Sequence, residues 1–461
     1  MPEHANPTKM PSLTRRLLQQ GQRPVDAHAR QRAVLHWLDW MGCVAAGARS
    51  PVGPVLRNWQ MQPGAARQTP SLLGMAQDSY HALLMDAGPA NVEEMDDMHR
   101  GAILHPGPVV MPALACLARS HHLSAAPTLD AVVRGYETMI RVGRAVGAQH
   151  YYFWHNTATA GVFGAAAACA DALQLPLDQA VWALGNAGTQ AAGLWQVRLE
   201  PVMSKQLHTA HAAWAGMTAA SLASAGFSGP EYILEGERGF FAAMCQGADI
   251  SIVNQPEADW LIHGTSFKPW AACRHTHAVI DCVLALREQM GGQPFAFSDC
   301  VVSSFNDALS ICDKPQPQTR TEAKFSLQYC VAAAAQVGPL QPQHFDTEVL
   351  ARLDLKEVTS KVRLQKDAAI NAAYPAHYGA KVVMHFANGQ SLSHSVTDAL
   401  GDPERPLSQQ AVFDKAQSLM VYGGVKRERI EAALQAALVL INAAPAEMAA
   451  PFPAALLDSL F

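Results

Sequence analysis

Carboxylates and imidazoles are concentrated between residues 93 and 105 of this chain. The run Glu93-Glu94-Met95-Asp96-Asp97 contains four carboxylates, and His99 and His105 follow it. Charged residues are only 16% of the sequence, and apolar segments flank the run on both sides. Because burial and mutual proximity shift pKa values, titratable groups in such surroundings suit acid–base catalysis. The run therefore predicts a catalytic pocket, with a hydrated loop or a Mg²⁺ site as the open alternatives.

Basic and aromatic polar residues recur in four later segments. These segments are residues 151–164, 203–211, 266–277 and 323–330. His155 precedes a helix start rich in Thr, Ala and Gly, where backbone N–H groups favour an anion, although a packed core histidine is the alternative. Lys205 opens an Ala-rich helix, while Lys268 and Arg274 stand beside Pro, Trp and Cys. These three cations predict a wall that binds carboxylates.

Metal chemistry has little support in the sequence. His275 and His277 form a His-x-His pair, but a third ligand at a metal-binding spacing is missing. HExxH, GxSxG, Gly-rich phosphate loops and paired zinc cysteines are also absent from the sequence. The nine cysteines form no CxxC pair, and most lie in apolar runs, where free Cys acts as a small hydrophobe. We therefore expect a cytoplasmic protein that works without a metal or another cofactor.

Composition argues against two classes of partner. The net charge of −5 gives no reason to expect a nucleic acid. The first ten residues lack the apolar core of a signal peptide. The longest weakly apolar stretch, residues 212–227, is too short and too rich in Ala, Ser and Gly to span a bilayer. We therefore expect a soluble protein that binds neither a nucleic acid nor a membrane.

Ala-rich helices must carry most of these side chains. Residues 28–47 have apolar positions at helical spacing, and residues 158–175 and 208–226 are runs of Ala and Gly. Small residues let helices approach closely in a bundle, and Ala has the highest helix propensity. The first helix is predicted to bury one apolar stripe, made of Val34, Leu35, Leu38, Met41 and Ala45.

The pattern changes after Lys268. Strands are predicted at residues 300–305, 358–365 and 382–386, and Ala387-Asn-Gly-Gln predicts a hairpin to residues 391–396. The helical pattern then returns through Ile441.

A chain of 461 residues is longer than one hydrophobic core usually supports, which predicts two domains. The predicted fold class is mainly α with an inserted α/β domain. Residues 1–265 form the first part of a large helical domain, residues 266–402 a smaller α/β lid, and residues 403–461 the C-terminal helical part.

A series of motifs in this order resembles the MmgE/PrpD family over most of the chain. The motifs are Asp39-Trp-Met-Gly, Asp96-Asp97-x-His with His105-Pro-Gly, Gly135-Tyr-Glu, His155-x-Thr-Ala-Thr-Ala-Gly, Ala183-Leu-Gly-Asn-Ala-Gly, Lys205-x-Leu-His, Gly226-Phe-Ser-Gly-Pro, Lys268-Pro with Cys273-Arg-His-Thr-His, and Ala323-Lys-Phe-Ser-Leu-Gln-Tyr. The resemblance implies an all-α domain with a smaller α/β lid, a homodimer, and a metal-free site between the two domains.

The resemblance also implies roles for individual residues. The implied catalytic residues are His105, His155, Lys205, Asp97 and Glu94, and the implied substrate-binding residues are Lys268, Arg274, His277 and Tyr329. The chain departs from the usual family pattern at Glu94, Met98 and Trp154. We expect these departures to reshape the pocket and to alter the substrate.

Family members act on small di- and tricarboxylates at a carbon next to a carboxylate. Such chemistry needs a base, an acid and cations that stabilise developing negative charge. We therefore expect a metal-independent lyase, with dehydration as the leading reaction. An epimerase, racemase or decarboxylase of a similar substrate is the alternative, and a non-catalytic carboxylate-binding protein is a second one.

Overall fold

The computed structural model describes residues 10–59, 69–200 and 202–461. The expectation about a signal peptide concerns residues that lie largely outside these ranges. Among the described helices, none is long and apolar enough to cross a membrane. The helices that precede the lid are α1 (Leu13–Gly21), α2 (Ala27–Ala48), α3 (Val52–Trp59), α4 (Ser79–Ala87), α5 (Gly107–His121), α6 (Ala125–Ala145), α7 (Ala148–Phe153), α8 (Asn156–Thr159), α9 (Gly161–Ala172), α10 (Leu177–Gly188), α11 (Ser204–Ser224) and α12 (Phe240–Met244).

The second half of the chain mixes helices and strands. Its helices are α13 (His277–Gln289), α14 (Asn306–Cys312), α15 (Arg320–Lys324), α16 (Leu327–Val337), α17 (Thr347–Leu350), α18 (Leu353–Thr359), α19 (Ala368–Ala373), α20 (Gln409–Gly423) and α21 (Arg427–Asn442). The strands of the whole described chain are β1 (Thr69–Ser71), β2 (Gly74–Ala76), β3 (Met98–His99), β4 (Thr265–Ser266), β5 (Asp299–Ser304), β6 (Val362–Lys366), β7 (Ala380–His385) and β8 (Ser391–Val396).

A four-stranded sheet organises the smaller part of the molecule. Its strand order is β6-β5-β7-β8, with β5 and β6 parallel and the other two pairs antiparallel. The β5 strand and the β7–β8 hairpin confirm two predictions, and Gly389 adopts the positive φ of +85° in the connecting turn. The fold is mainly α with an inserted α/β domain, as the sequence predicted.

Two predictions about individual elements need correction. Residues 358 and 359 are the end of α18 and not the start of a strand, because Leu355 and Val358 are both buried on one face of that helix. The α2 helix buries far more than one stripe. It is enclosed almost completely from His36 onward, so that even Asp39 lies in the interior.

Two large hydrophobic clusters, and a third with four buried residues, fill the interior of the described part of the chain. The larger of the two joins α1, α2, α4 to α6 and α9 to α12 with α20 and α21, and the smaller one surrounds the sheet and α13 and α16. Cys43 of α2, Met95 and Leu419 of α20 belong to the smaller cluster although they come from the helical part. The acidic loop, residues 93–97, thus lies at the seam between the clusters. The clusters support the predicted boundaries near residues 265 and 402, which stay a prediction.

Candidate active site

A two-residue ribbon brings the acidic loop beside the start of the lid. In this ribbon Met98 of β3 pairs with Ser266 of β4, and His99 pairs with Thr265. Asp96 stands two residues before the ribbon and Lys268 two residues after it. Backbone pairing at this point therefore explains why side chains about 170 residues apart in sequence meet here.

Glu94 and Asp96 each form an ion pair with a lysine, partly buried for Glu94 and fully buried for Asp96. The Lys205 ammonium contacts the Glu94 carboxylate. The Lys268 Nζ lies 3.1 Å from Asp96 Oδ1 and 3.7 Å from Glu94 Oε2, and its side chain is 0% exposed. An ammonium removed from water is tolerated only when such partners surround it. The predicted residues Glu94, Lys205 and Lys268 therefore come together.

These ion pairs keep the two acids ionised. Burial alone raises the pKa of the Glu94 carboxyl, but Lys205 and Lys268 outweigh burial and lower that pKa. The pKa of Asp96 is likewise held far below its usual range, against burial, by Lys268 and His105. Burial would lower the pKa of Lys268, yet Asp96 and Glu94 raise it. Two carboxylates and two ammonium groups thus coexist in a space with little water.

Asp97 points in another direction. Its carboxylate accepts hydrogen bonds from the Tyr136 hydroxyl at 2.6 Å and the Gly107 N–H at 2.9 Å, and lies 2.8 Å from His36 Nδ1. Asp97 was predicted as a catalytic group, but these partners occupy its carboxylate oxygens. The structure instead places Asp96 against His105 and Lys268. Asp97 is a positioning residue for the loop.

Glu93 is also taken up by partners outside the pocket. Its Oε2 lies 2.6 Å from both Lys324 Nζ and Arg320 Nη2, and Lys324 also donates to the Glu93 main-chain oxygen at 2.7 Å. The carboxylates of the loop therefore face different surroundings. Glu94 and Asp96 face the lysines of the pocket, whereas Glu93 and Asp97 have other partners. The backbone of Glu94 adopts a positive φ of +55°, which helps to separate these directions.

His105 has a defined proton arrangement on one ring nitrogen. Its Nδ1 lies 2.9 Å from the Asp97 main-chain oxygen and 2.9 Å from Asp96 Oδ2. Both neighbours are acceptors, so Nδ1 carries a hydrogen in either charge state of the ring. Proton exchange with a substrate therefore falls to Nε2. The side chain keeps 16% exposure and is the more open of the two predicted catalytic histidines.

His155 is held on three sides. Its main-chain N–H donates to the Gly193 carbonyl at 2.8 Å, and its ring packs against that of Trp195 with centroids 4.3 Å apart and an interplanar angle of 35°. Its Nδ1 lies 3.4 Å from His208 Nδ1. Burial lowers the pKa of His155 well below its usual range, and Lys205, His208 and His105 lower it further. His155 is therefore neutral at physiological pH.

Arg274 and His277 form a separate network. Arg274 Nη2 lies 2.5 Å from Asp402 Oδ1, and its Nη1 donates to the Leu400 carbonyl at 3.1 Å and approaches His277 Nδ1 at 3.2 Å. His277 Nε2 in turn donates to the Ala272 carbonyl at 3.0 Å. Both were predicted to bind substrate. Their polar atoms are instead occupied by the lid, so the structure does not bring them to the acid–lysine cluster.

The other predicted side chains also lie outside the acid–lysine cluster. The hydroxyl of Tyr329 donates to the His344 carbonyl at 2.5 Å. Met98 is buried in a small cluster with Phe305 and Tyr378 of the lid. Trp154 forms a backbone bridge with Leu194, beside the Gly193 carbonyl that holds His155.

Metal ligands gather at a different place. Among the described residues, His377, Asp398 and Glu404 offer ligand atoms close enough to share one ion. Arg100 already contacts both carboxylates, with 3.0 Å from Nη1 to Asp398 Oδ1 and 2.6 Å from Nη2 to Glu404 Oε1. A guanidinium therefore supplies the positive charge there. In the acidic loop, lysines fill the corresponding role.

Two residues at the site escaped prediction by sequence reasoning. Asp96 was included only as part of the acidic loop, and no spacing rule distinguishes it from Asp97. Lys415 of α20 donates to the Met95 carbonyl at 2.5 Å and pairs with Asp39 at 2.6 Å, and so clamps the loop from the far end of the chain. Nothing in the sequence around Lys415 signals that contact.

Comparison with known proteins extends along both parts of the molecule. The family model of the MmgE/PrpD N-terminal domain matches residues 19–253, and that of the MmgE/PrpD C-terminal domain matches residues 270–439. The cis-aconitate decarboxylase-like protein oryM of Aspergillus oryzae is 26% identical over 76% of this chain and 78% of its own length. Cis-aconitate decarboxylase of Mus musculus is 25% identical over 57% of this chain and 54% of its own length. Cis-aconitate decarboxylase of Aspergillus terreus is 24% identical over 84% of each chain.

Proposed function

The chain belongs to the MmgE/PrpD family, and from this premise we propose that it is a lyase acting on a small di- or tricarboxylate. The observation that carries the proposal is the cluster at the acidic loop. Two lysine–carboxylate pairs, Lys205–Glu94 and Lys268–Asp96, lie next to His105. The charge of Lys205 also lowers the pKa of His155. Buried, paired and shifted titratable groups of this kind typify catalytic sites.

The two histidines suit opposite halves of a proton transfer. His155 is kept neutral by burial and by the nearby cations, so it is ready to take a proton. The Nδ1–H of His105 faces the Asp96 carboxylate and the Asp97 main-chain oxygen, which leaves Nε2 to exchange a proton with the substrate. We therefore assign His155 as the base and His105 as the acid. Lys205 and Lys268 stabilise negative charge that develops on the substrate carboxylate.

Decarboxylation is the reaction that the relatives favour. Three curated relatives carry the name cis-aconitate decarboxylase or a name derived from it. In such a reaction the bond to a carboxylate carbon breaks, CO₂ leaves, and the electron pair left on the substrate carbon takes a proton from an acid. His105 Nε2 is the group proposed to supply that proton.

Dehydration remains the second candidate, because the site holds two imidazoles in different surroundings, His155 buried and His105 partly exposed beside Asp96. The base removes a proton from the carbon next to a carboxylate, a double bond forms, and the departing hydroxyl takes a proton from the acid and leaves as water. Epimerisation uses the same two groups without loss of hydroxide. The identity between 23% and 26% to the curated relatives leaves room for a different substrate.

One screen separates these reactions. Citrate, methylcitrate, aconitate, malate, tartrate and iminodisuccinate analogues are incubated with the protein in D₂O and followed by NMR. Loss of CO₂, formation of an alkene, and deuterium exchange alone identify decarboxylation, dehydration and epimerisation, respectively. Binding of citrate without turnover of any compound would favour the non-catalytic carboxylate-binding alternative. The proposed homodimer is tested separately by sedimentation equilibrium.

A further inference from the structure

The cations that were expected to bind substrate are already neutralised. Lys205 pairs with Glu94, Lys268 pairs with Asp96, and Arg274 pairs with Asp402. His155 is neutral as well. A di- or trianion that enters this pocket therefore needs positive charge in addition to that of the two lysines, because each uncompensated carboxylate loses its hydration on binding.

Arg198 is a cation beside the pocket that forms no ion pair with any described carboxylate. It belongs to a short helix, Trp195–Arg198, and among the described residues no acidic group lies within ion-pair distance of it. Its guanidinium carbon lies 5.0 Å from the centre of the Trp195 ring and 5.8 Å from that of the Tyr151 ring. These contacts hold the guanidinium in place while its N–H groups stay free.

The ring beneath Arg198 is part of the catalytic surroundings. Trp195 packs against His155 in a tilted arrangement with centroids 4.3 Å apart, and the buried Trp195 Nε1–H has no hydrogen-bond partner among the described residues. Tyr151 is close enough to Glu94 for the carboxylate to raise the pKa of its hydroxyl, although burial is the larger cause and brings that pKa to about 12. The Trp195 ring thus contacts both Arg198 and His155.

The segment that precedes Trp195 is fixed rigidly by its contacts. The Gly193 carbonyl accepts the His155 main-chain N–H at 2.8 Å, and Trp154 forms a bridge with Leu194. Gly193 adopts a φ of +123°, and a Cβ atom there would meet Ala158 Cβ at 3.0 Å. Only glycine lets the segment run this close to α8, so Trp195 and Arg198 start from a defined position.

We propose that Arg198 binds a substrate carboxylate that the two active-site lysines leave uncompensated, with Trp195 as its platform. This inference rests on the proposed function, since it names the residue that admits the additional carboxylate of a polycarboxylate. A guanidinium suits the task because its planar N–H groups bind a carboxylate in bidentate fashion. The site therefore favours a tricarboxylate over a shorter dicarboxylate.

Calorimetric binding of two unreactive probes tests the proposal. Propane-1,2,3-tricarboxylate and succinate are titrated into the wild type, Arg198→Gln, Arg198→Lys and the control Arg427→Gln. Arg427 is 86% exposed on α21, where it pairs with Glu431. Arg198→Gln is expected to weaken binding of the tricarboxylate about tenfold and that of succinate less than about twofold. Arg198→Lys is expected to fall in between, because it keeps the charge but loses the fork and the stacking.

The outcomes separate this inference from the proposed function. Wild-type affinity of Arg198→Gln for the tricarboxylate overturns the inference, as does an equal loss for both probes, which indicates only a diffuse effect of net charge. An effect of Arg427→Gln as large as that of Arg198→Gln overturns it for the same reason. If the wild type binds neither probe and converts no polycarboxylate in the D₂O screen, the proposed function fails together with the inference.

Discussion

Two networks of buried lysines and carboxylates start from the same five-residue loop. In the first, Glu94 and Asp96 pair with Lys205 and Lys268. In the second, Glu93 pairs with Lys324 and Arg320, and Arg320 also contacts Asp346. Both networks tie the helical part to the lid, and both pair carboxylates with cationic side chains, although only the outer one contains an arginine. We refer to them as the inner network and the outer network.

The two networks differ in their neighbours. Asp96 of the inner network lies 2.9 Å from His105 Nδ1, whereas the described contacts of the outer network include no imidazole. The lysines also differ. Burial lowers the pKa of Lys324 even though Glu93 opposes it, while two carboxylates overcome burial and raise the pKa of Lys268. Burial and charge pairing are therefore common to both networks, and the neighbouring imidazole is the feature on which the proposed catalytic role of the inner network depends.

The largest effect is expected from His155→Asn, which removes the proposed base beside the inner network. As the proposed base, His155 should account for about 10²–10⁴-fold in kcat, with a modest change in KM and near-normal folding. Turnover and melting temperature are measured on the same preparation, with Lys205→Met beside it to test anion binding. A destabilised protein with wild-type turnover per folded molecule would remove His155 from the mechanism.

Lys324→Met tests the outer network. It leaves the Glu93 carboxylate buried with one partner fewer, which should cost about 3–5 kcal/mol of the free energy of unfolding. Urea denaturation should show a lower midpoint, while turnover per folded molecule stays close to that of the wild type. Loss of activity comparable to that of His155→Asn in a well-folded Lys324→Met protein would erase the distinction between the networks.

Acidification should lower the free energy of unfolding before it protonates the carboxylates of either network. Burial lowers the pKa of His36 to about 4 and that of His99 to about 3. An unfolded histidine takes up a proton near pH 6.5, so stability is complete above that pH and is lost as the pH falls toward the folded values. Asp39 opposes this trend below pH 6, because burial raises its pKa to about 6.

His36, His99 and Asp39 together should lower the free energy of unfolding by about 2 kcal/mol between pH 6.5 and pH 5. Melting temperatures over this range, measured for the wild type and for His99→Gln, provide the test. The variant should show a shallower slope, because one buried neutral imidazole has been removed. A melting temperature that stays level or rises on acidification would contradict the assignment.

Chelation should have the smallest effect. Lysines already neutralise Glu94 and Asp96, so activity should survive exhaustive EDTA treatment unchanged. Atomic absorption on the treated protein provides the control for metal removal. Activity that disappears with EDTA and returns with Mg²⁺ or Fe²⁺ would turn the inner network into a metal site.

Regular periodicity made the fold predictable. Apolar spacing marked α2, the Ala- and Gly-rich run of residues 208–226 marked most of α11, and Asn388-Gly389 marked the β7–β8 hairpin, because these signals are local. The residues His105, His155, Lys205 and Lys268 were predicted from their motifs. Their roles remain proposals.

Side-chain direction within the acidic loop could not be predicted. Glu94 has a left-handed backbone conformation, so neither the helical nor the strand period applies, and Asp96 could not be told from Asp97. Arg274 could not be judged for a different reason. Its partner Asp402 lies far along the chain, and only the folded lid brings the two together.

The hydrogen bond from Lys415 to the acidic loop makes the proposed catalysis depend on the order in which the chain is synthesised. Lys415 follows the Met95 carbonyl that it holds by 320 residues. The ribosome therefore makes the loop first, then Lys205, then the whole lid, and the α20 clamp last. Domains generally fold as units during translation, but this lid is finished before the helical body into which it is inserted. On the proposed function, the chain can acquire its lyase activity only after α20 has been made.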